Sequence, residues 1–389
     1  EVKENTDGDL EVTAPYQTKR LIVESDQVKD TCGASEVYVN EMDHETILQY
    51  DSEEKTEEAF QQLSRTYSSC YPDKVVSVED STMGLPLSQG GENGQGTYSW
   101  GSDYMGLNEL KKQAASNGYT RRVTVAVVDT GIDTSNVLFA GRKVSSQSYN
   151  FFGNNYNVQD TFGHGTHVSG IIAGSGYASH GRIRGICPAA SLAGIKVLDR
   201  LGNGRIENVL DAAGWIIFHQ KDLNIRVVNI SFGATTFGEK ENLIALEKAI
   251  EKLWDNNIIV VAAAGNEGPG RQTVAIPGTC KKIITVGSPD GKDFYSGRGP
   301  TSECIVKPEL IVNGSYIRSC NNSVSGYSVK SGTSMSAPVV SGAIADVLIK
   351  KDMSPKEIKK RLHSCCTKKA LPDNLQGWGL LNLSKFMNI

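Results

Sequence analysis

The spacing of apolar positions changes twice along the chain. Between Lys19 and Asp80 they come in short runs. Arg20-Leu21-Ile22-Val23-Glu24, Glu36-Val37-Tyr38-Val39 and Thr46-Ile47-Leu48-Gln49-Tyr50 predict three strands. Ser52 is placed to cap a helix that carries Glu53 and Glu54 in its first turn. That helix should reach about Ser64, with Ala59, Phe60 and Leu63 on one face. Lys74 to Asp80 predicts a further strand. Together these elements form a small α+β module with a thin core. Residues 1–18 are polar and aperiodic, and read as a flexible terminus. Residues 81–99 form a break: Leu85-Pro86 and the glycine-rich 90–96 predict an exposed, cleavable linker and a domain boundary.

From Trp100 the pattern alternates between helix and strand. A short helix is expected over Leu107–Ser116. The nearly all-apolar Arg122 to Val128 reads as a strand buried on both faces. Further strands are expected at Leu192–Val197, Val227–Phe232, Ile258–Ala264 and Ile283–Val286. Helices are expected at Thr166–Ala173, Ile206–Gln220, Glu239–Asn256 and Val339–Lys350. Such alternation implies an α/β fold, a parallel sheet flanked by helices, with its site at the carboxyl ends of the strands.

Composition narrows the function little. The net charge is −4 and no long basic run occurs, so a nucleic-acid partner is not expected. No apolar run approaches the ~18 residues of a membrane span. The opening residues do not read as a signal peptide, which leaves the compartment open. The eight cysteines form no C-x-x-C pair and the histidines lack zinc spacing, so no structural metal is expected. Disulfides and buried thiols both remain open.

Four short motifs carry chemistry. Asp129 ends its strand at a Thr130-Gly131 turn, where a carboxylate could orient an imidazole. His164 lies between Gly163 and Gly165 at a helix start, so its ring could reach a cleft; His167, one turn deeper, reads as structural. Asn266 follows a strand end in Gly265-Asn266-Glu267-Gly268, where an amide could donate into an oxyanion site. Ser334 stands in Gly332-Thr333-Ser334-Met335-Ser336-Ala337-Pro338, ahead of a helix whose free N–H groups favour negative charge. Pro338 fits a first-turn position there. Each motif alone has an ordinary structural explanation. Jointly, at the ends of elements of one α/β sheet, they supply an acid, a base, a nucleophile and an amide donor.

The order Asp129, His164, Asn266, Ser334 resembles the subtilisin family of serine proteases. Val127-Val128-Asp129-Thr130-Gly131-Ile132-Asp133 is similar to its aspartate motif and His164-Gly165-Thr166-His167-Val168 to its histidine motif. Gly332 to Pro338 is similar to its serine motif, and Ala263-Ala264-Gly265-Asn266-Glu267-Gly268 to its oxyanion segment. The resemblance covers Trp100 to the C-terminus. It implies a serine endopeptidase of subtilisin-like α/β fold at 100–389, acting through an acyl-enzyme. Asp129, His164 and Ser334 would be catalytic and Asn266 would hold the oxyanion. It also implies that peptide or protein substrates pair beside Ser231-Phe232-Gly233. Ala262 to Gly265, among them Ala264 and Gly265, would wall the first specificity pocket, with Glu267 at its rim and Ala275 making it shallower. The module at 19–80 resembles the family's propeptide more weakly; it would be an inhibitory partner cut off by the enzyme itself. Its first helix would be confined to Asp26–Ala34. An extracellular or cell-surface location follows from the same resemblance. Many relatives bind calcium in a loop after the histidine helix. Here Gly174 to Pro188 offers no carboxylate or side-chain amide, so that site is expected to be missing and no cofactor is expected.

Two other readings compete. Asp-Thr-Gly is also the motif of aspartic proteases, but these need two carboxylates sharing a proton, and the chain has one such motif. A non-catalytic binding protein on the same scaffold would normally have lost one of the three catalytic residues.

Overall fold

The computed structural model describes residues 3–4, 10–11, 19–25, 27–40, 45–67, 69–72, 75–77, 122–136, 139, 144–179, 182–234, 244–289, 295–322 and 326–389. The expected linker at 81–99 and the helix over Leu107–Ser116 lie outside them. Two compact units are present, one comprising Glu1–Val75 with Arg205–Glu207, the other Val76–Gly204 with Asn208–Ile389.

In the first unit the strands Arg20–Val23, Glu36–Asn40, Glu45–Gln49 and Cys70–Pro72 form one antiparallel sheet. Arg20–Val23 lies between Glu45–Gln49 and Cys70–Pro72. The helix Glu53–Leu63 starts where expected: Ser52 Oγ accepts the Lys55 N–H at 3.3 Å. Leu21, Val23, Leu48, Tyr50, Ala59 and Leu63 make a single small core. Two expectations are corrected. The Cys70–Pro72 strand was not anticipated, because a cysteine, a tyrosine and a proline give no alternating signal. Residues 27–34 form bends and turns, not the short helix expected between Asp26 and Ala34. Gly33 and the left-handed Cys32 stand in that stretch, and both oppose a helical continuation.

The second unit is built on a nine-stranded sheet. Its order is Cys366–Thr367, Leu380–Leu381, Leu310–Ile311, Ile284–Gly287, Ile259–Ala263, Ile225–Ile230, Thr124–Asp129, Ser191–Lys196, Tyr149–Asn150. All neighbours run parallel except the pair at the Cys366–Thr367 edge. Thr124–Asp129 and Ile259–Ala263 are buried throughout, as their unbroken apolar runs require. Helices His164–Ala173, Ile206–Leu223, Ile244–Asp255 and Thr333–Lys350 account for the helical patterns. Unanticipated was the helix Pro355–Cys365, although Ser354 and Glu357 form a capping box and Pro355 opens it. No helix among the described residues is long and apolar enough to cross a membrane.

Helix Thr333–Lys350 is almost wholly buried. It packs against Ile225–Ile230, Ile259–Ala263 and the helix His164–Ala173. Pro338 is its sixth residue, so the first-turn expectation is corrected: the helix begins at Thr333, well before the apolar periodicity becomes visible. All eight cysteines are free thiols.

Candidate active site

Asp129 is the last residue of a central strand, and His164 is the first residue of a helix. His164 Nδ1 lies 2.8 and 3.0 Å from the two Asp129 carboxylate oxygens. A carboxylate only accepts, so Nδ1 carries the proton. Both side chains are fully buried, where such an interaction is weakly screened. The Thr130 N–H donates to Asp129 Oδ1 at 2.7 Å and fixes the carboxylate's rotamer. Gly165 makes the approach possible. A β-carbon there would come within 2.2 Å of the Gly131 carbonyl oxygen and 3.1 Å of Asp129 Cβ. Among the described residues, the buried Nε2 of His164 has no hydrogen-bond partner.

Two residues escaped the sequence reading. Asp160, buried, accepts from Thr130 Oγ1, Phe162 N–H and Gly163 N–H on one oxygen. Thr166 N–H and Thr166 Oγ1 donate to the other. It thereby ties the turn after Asp129 to the first turn of the histidine helix. Lys196, at the carboxyl end of the neighbouring strand, donates to the Thr130 carbonyl. Burial lowers the Lys196 pKa, against the carboxylates of Asp160, Asp129 and Asp199, which raise it. A lone Asp and a lone Lys in loop or strand-end positions carry no periodic signal.

His167 is structural, as expected from its depth. Its Nε2 lies 3.1 and 3.2 Å from the carbonyls of Ile317 and Ser328, and so donates. Burial, then the charges of Lys330 and His164, push its pKa down from 6.5 to about 3. The folded protein therefore keeps His167 neutral where the unfolded chain protonates it. This contribution to stability is fully present above the unfolded pKa of 6.5 and is lost as pH falls toward about 3. In that window it changes by up to ~1.4 kcal/mol per pH unit. A His167→Gln variant is expected to lose melting temperature at neutral pH but to show a shallower acid decline, by about one proton. An acid decline as steep as the wild type's would refute the assignment.

Ser334 is the second residue of its helix and 5% exposed. Its hydroxyl donates to the Ser231 carbonyl at 2.7 Å, so no bond to His164 is formed in this structure. Asn266 Oδ1 accepts the Thr333 N–H at 3.0 Å, and Thr333 Oγ1 lies 3.2 Å from it. Because the oxygen meets a backbone donor, the amide is oriented unambiguously. Thr333 Oγ1 also accepts the Gly265 N–H at 3.0 Å. Gly332, with φ +149°, has no β-carbon; one would lie 3.2 Å from Asn266 Nδ2. Asn266 thus rests directly over the backbone that leads into Ser334.

The expected cleft residues are brought to one region. Ser231, Phe232 and Gly233 directly follow the strand Ile225–Ile230 and are buried. Ala275 lies between Gly233 and Ala264. Its N–H donates to the Ala264 carbonyl at 2.9 Å, and a β-carbon on Gly233 would come within 2.6 Å of Ala275 Cβ. Ala264 and Gly265 are buried, whereas Glu267 is exposed. After the histidine helix, loop carbonyls are used internally: Gly174 accepts from Gly185, and Gly176 and Ser179 accept within their own turn.

The arrangement offers a buried imidazole backed by a carboxylate, a hydroxyl at a helix start and an amide over that helix start. These are the parts needed for acyl transfer. The subtilase family model matches residues 120–379. Serine protease AprX of Bacillus subtilis (strain 168) is 34% identical over 307 residues, spanning 70% of this chain and 68% of that protein. Subtilisin DY of Bacillus licheniformis is 32% identical over 272 residues, spanning 67% of this chain and 89% of that protein. A solved cold adapted subtilisin-like serine proteinase matches with TM-score 0.54 at 28% identity, covering 67% of this chain and 86% of that one.

Proposed function

The chain belongs to the subtilase family and is a serine protease that hydrolyses peptide bonds; on that premise we propose that Asp129, His164 and Ser334 are its catalytic triad. The observation that carries the reading is the buried Asp129 carboxylate on His164 Nδ1, with the opposite ring nitrogen left unpartnered among the described residues. On binding substrate, the Ser334 hydroxyl turns from the Ser231 carbonyl to Nε2 and attacks the scissile carbonyl. His164 takes the proton and returns it to the leaving amine, while Asp129 stabilises the imidazolium. Asn266 Nδ2 and the Ser334 N–H hold the oxyanion. Water then hydrolyses the acyl-enzyme by the same steps. A fluorophosphonate reagent should label Ser334 in the folded, processed protein, as mapped by peptide mass spectrometry. Labelling elsewhere, or none, contradicts the triad.

Substrate would lie beside Ser231-Phe232-Gly233 as an added strand. With Ala275 between the two pocket walls and Glu267 at the rim, medium apolar or lysine-like side chains are favoured before the scissile bond over large aromatic ones. A cleavage profile dominated by Phe or Trp and unaltered in Ala275→Gly argues against this pocket. The loop over 174–188 is read as lacking calcium, since no carboxylate or side-chain amide stands in it. A calcium-restored loss of melting temperature in chelator that disappears when only that loop is replaced would oppose this.

The module at 19–80 is read as an inhibitory propeptide, joined by a linker that the enzyme itself cuts between about Met83 and Gly90. A unit with a core of six buried side chains gains stability by docking on a partner. Tethering raises its effective concentration at the site until the cut, after which its own docked surface must hold it. Purified wild type should split in that window, while Ser334→Ala stays whole. If both remain intact, or both are cut alike with other proteases absent, self-processing is wrong. A self-processing precursor fits an extracellular or cell-surface protease; recovery of processed protein only from cell lysate would count against that location.

A further inference from the structure

Pro338 stands four residues after Ser334 inside the same helix. In a regular helix, the N–H at that position would donate to the Ser334 carbonyl. Proline has none, so the nucleophile's own carbonyl loses its helical partner. The site is buried, and a buried carbonyl without a donor costs as much as a lost hydrogen bond. The missing donor comes from another element. Ser231 Oγ donates to the Ser334 carbonyl oxygen at 3.1 Å.

The direction of that bond is enforced by its neighbours. Asn229 Nδ2 donates to Ser231 Oγ at 2.9 Å, which leaves the Ser231 proton for Ser334. Ser341 Oγ donates to Asn229 Oδ1 at 2.9 Å and fixes the amide. Ser341 follows Ser334 by two helical turns, so Ser334, Pro338 and Ser341 share the face that meets the end of the strand Ile225–Ile230. Asn229, Ser231 and Ser341 are all 0% exposed. The hydrogen-bond series from Ser341 through the Asn229 amide to Ser231 therefore ends on the backbone of the proposed nucleophile. Ser231 also accepts the Ser334 hydroxyl on its own carbonyl, so the two residues exchange two hydrogen bonds.

We infer that Ser231, through its side chain, is a positioning residue matched to Pro338: its hydroxyl takes the place of the absent helical N–H and holds the Ser334 backbone in register with His164 and Asn266. This rests on the reading of Ser334 as nucleophile. It assigns the Ser231 side chain a task separate from the pairing of its main chain with substrate. The proline leaves the first turns of the helix free of a backbone bond that would set their geometry internally. That geometry is set instead by the strand segment lining the cleft.

The test is a double-mutant cycle on the processed enzyme with a peptide substrate, the linker of any variant that does not cut itself being opened by an added protease that is then removed. Ser231→Ala in the wild-type background should lower kcat roughly tenfold while KM stays within about twofold, since one buried carbonyl is orphaned. In a Pro338→Ala background, the new N–H reaches the Ser334 carbonyl, and the same Ser231→Ala change should cost no more than about twofold. A packing role for Ser231 would give equal losses in both backgrounds, and that result overturns the inference, as does a Ser231→Ala enzyme with wild-type kcat. Should Ser231→Ala be too unstable to assay, the cycle is read in melting temperature: recovery by Pro338→Ala supports the pairing, and no recovery overturns it. Ser334→Ala in the same assay separates the two claims. If it remains active, the nucleophile assignment fails; if it is inactive while the cycle shows no coupling, only the positioning role fails.

Discussion

Ser334→Ala is expected to lower kcat by about 10^6-fold, the magnitude familiar from the same exchange in subtilisin, a member of this family. The variant should keep its fold. The hydroxyl makes one hydrogen bond, to the Ser231 carbonyl, and removing a single such bond costs about 1 kcal/mol. The helix itself is held by a buried face that runs from Thr333 to Ile349. The measurement is kcat and KM on a chromogenic peptide, with melting temperature as a control on folding. Turnover within a hundredfold of wild type, in a preparation free of other proteases, would remove Ser334 from the mechanism.

The second large effect is expected at Asp129. Asp129→Asn should reduce kcat by about 10^4-fold with little change in KM. Two causes act together. The negative charge beside a fully buried imidazole is lost, so the imidazolium formed during attack is no longer compensated. The amide also unsettles the tautomer. The Thr130 N–H, 2.7 Å from Oδ1, holds the new carbonyl oxygen on that side. The NH2 group then occupies the position of Oδ2, 3.0 Å from Nδ1. Nδ1–H keeps an acceptor in the oxygen 2.8 Å away but now also meets a donor, so the preference for a proton on Nδ1 weakens and more rings carry it on Nε2, the nitrogen that accepts the serine proton in the proposed mechanism. Loss of melting temperature should be small, because the shape is conserved. Rates within tenfold of wild type would mean that Asp129 serves packing and not proton transfer.

Much of the fold was legible before any coordinates. Continuous apolar runs mark strands buried on both faces of a parallel sheet, because helices cover both sides and leave no polar face to alternate. Ile259–Ala263, and Thr124–Asp129 between its two end residues, follow that rule, whereas Ile225–Ile230 is interrupted by Arg226 and Asn229. Failures came where the signal is short or belongs to another element. Cys70–Pro72 is a strand only because Arg20–Val23 lies beside it. Pro338 reads as a helix start because the apolar periodicity begins after it, whereas the helix begins five residues earlier, at Thr333-Ser334-Met335-Ser336.

The chain's own residues determined which chemistry could be assembled: an Asp at a tight turn, a His between glycines, an Asn after a strand, and a Ser in the first turn of a helix. Those identities and their order follow from local sequence, since turn residues, helix starts and strand ends are encoded within a few positions. Tertiary structure decided the rest, because the remaining partners are far apart in sequence and meet only across elements. His164 meets Asp129 across 35 positions, Thr333 meets Asn266 across 67, and Ser231 meets Ser334 across 103. The Asp160 clamp and the hydroxyl on the Ser334 carbonyl carry no pattern of their own. They are fixed by the demand that every buried donor and acceptor find a partner, and that demand can be answered only once the sheet and its helices are in place.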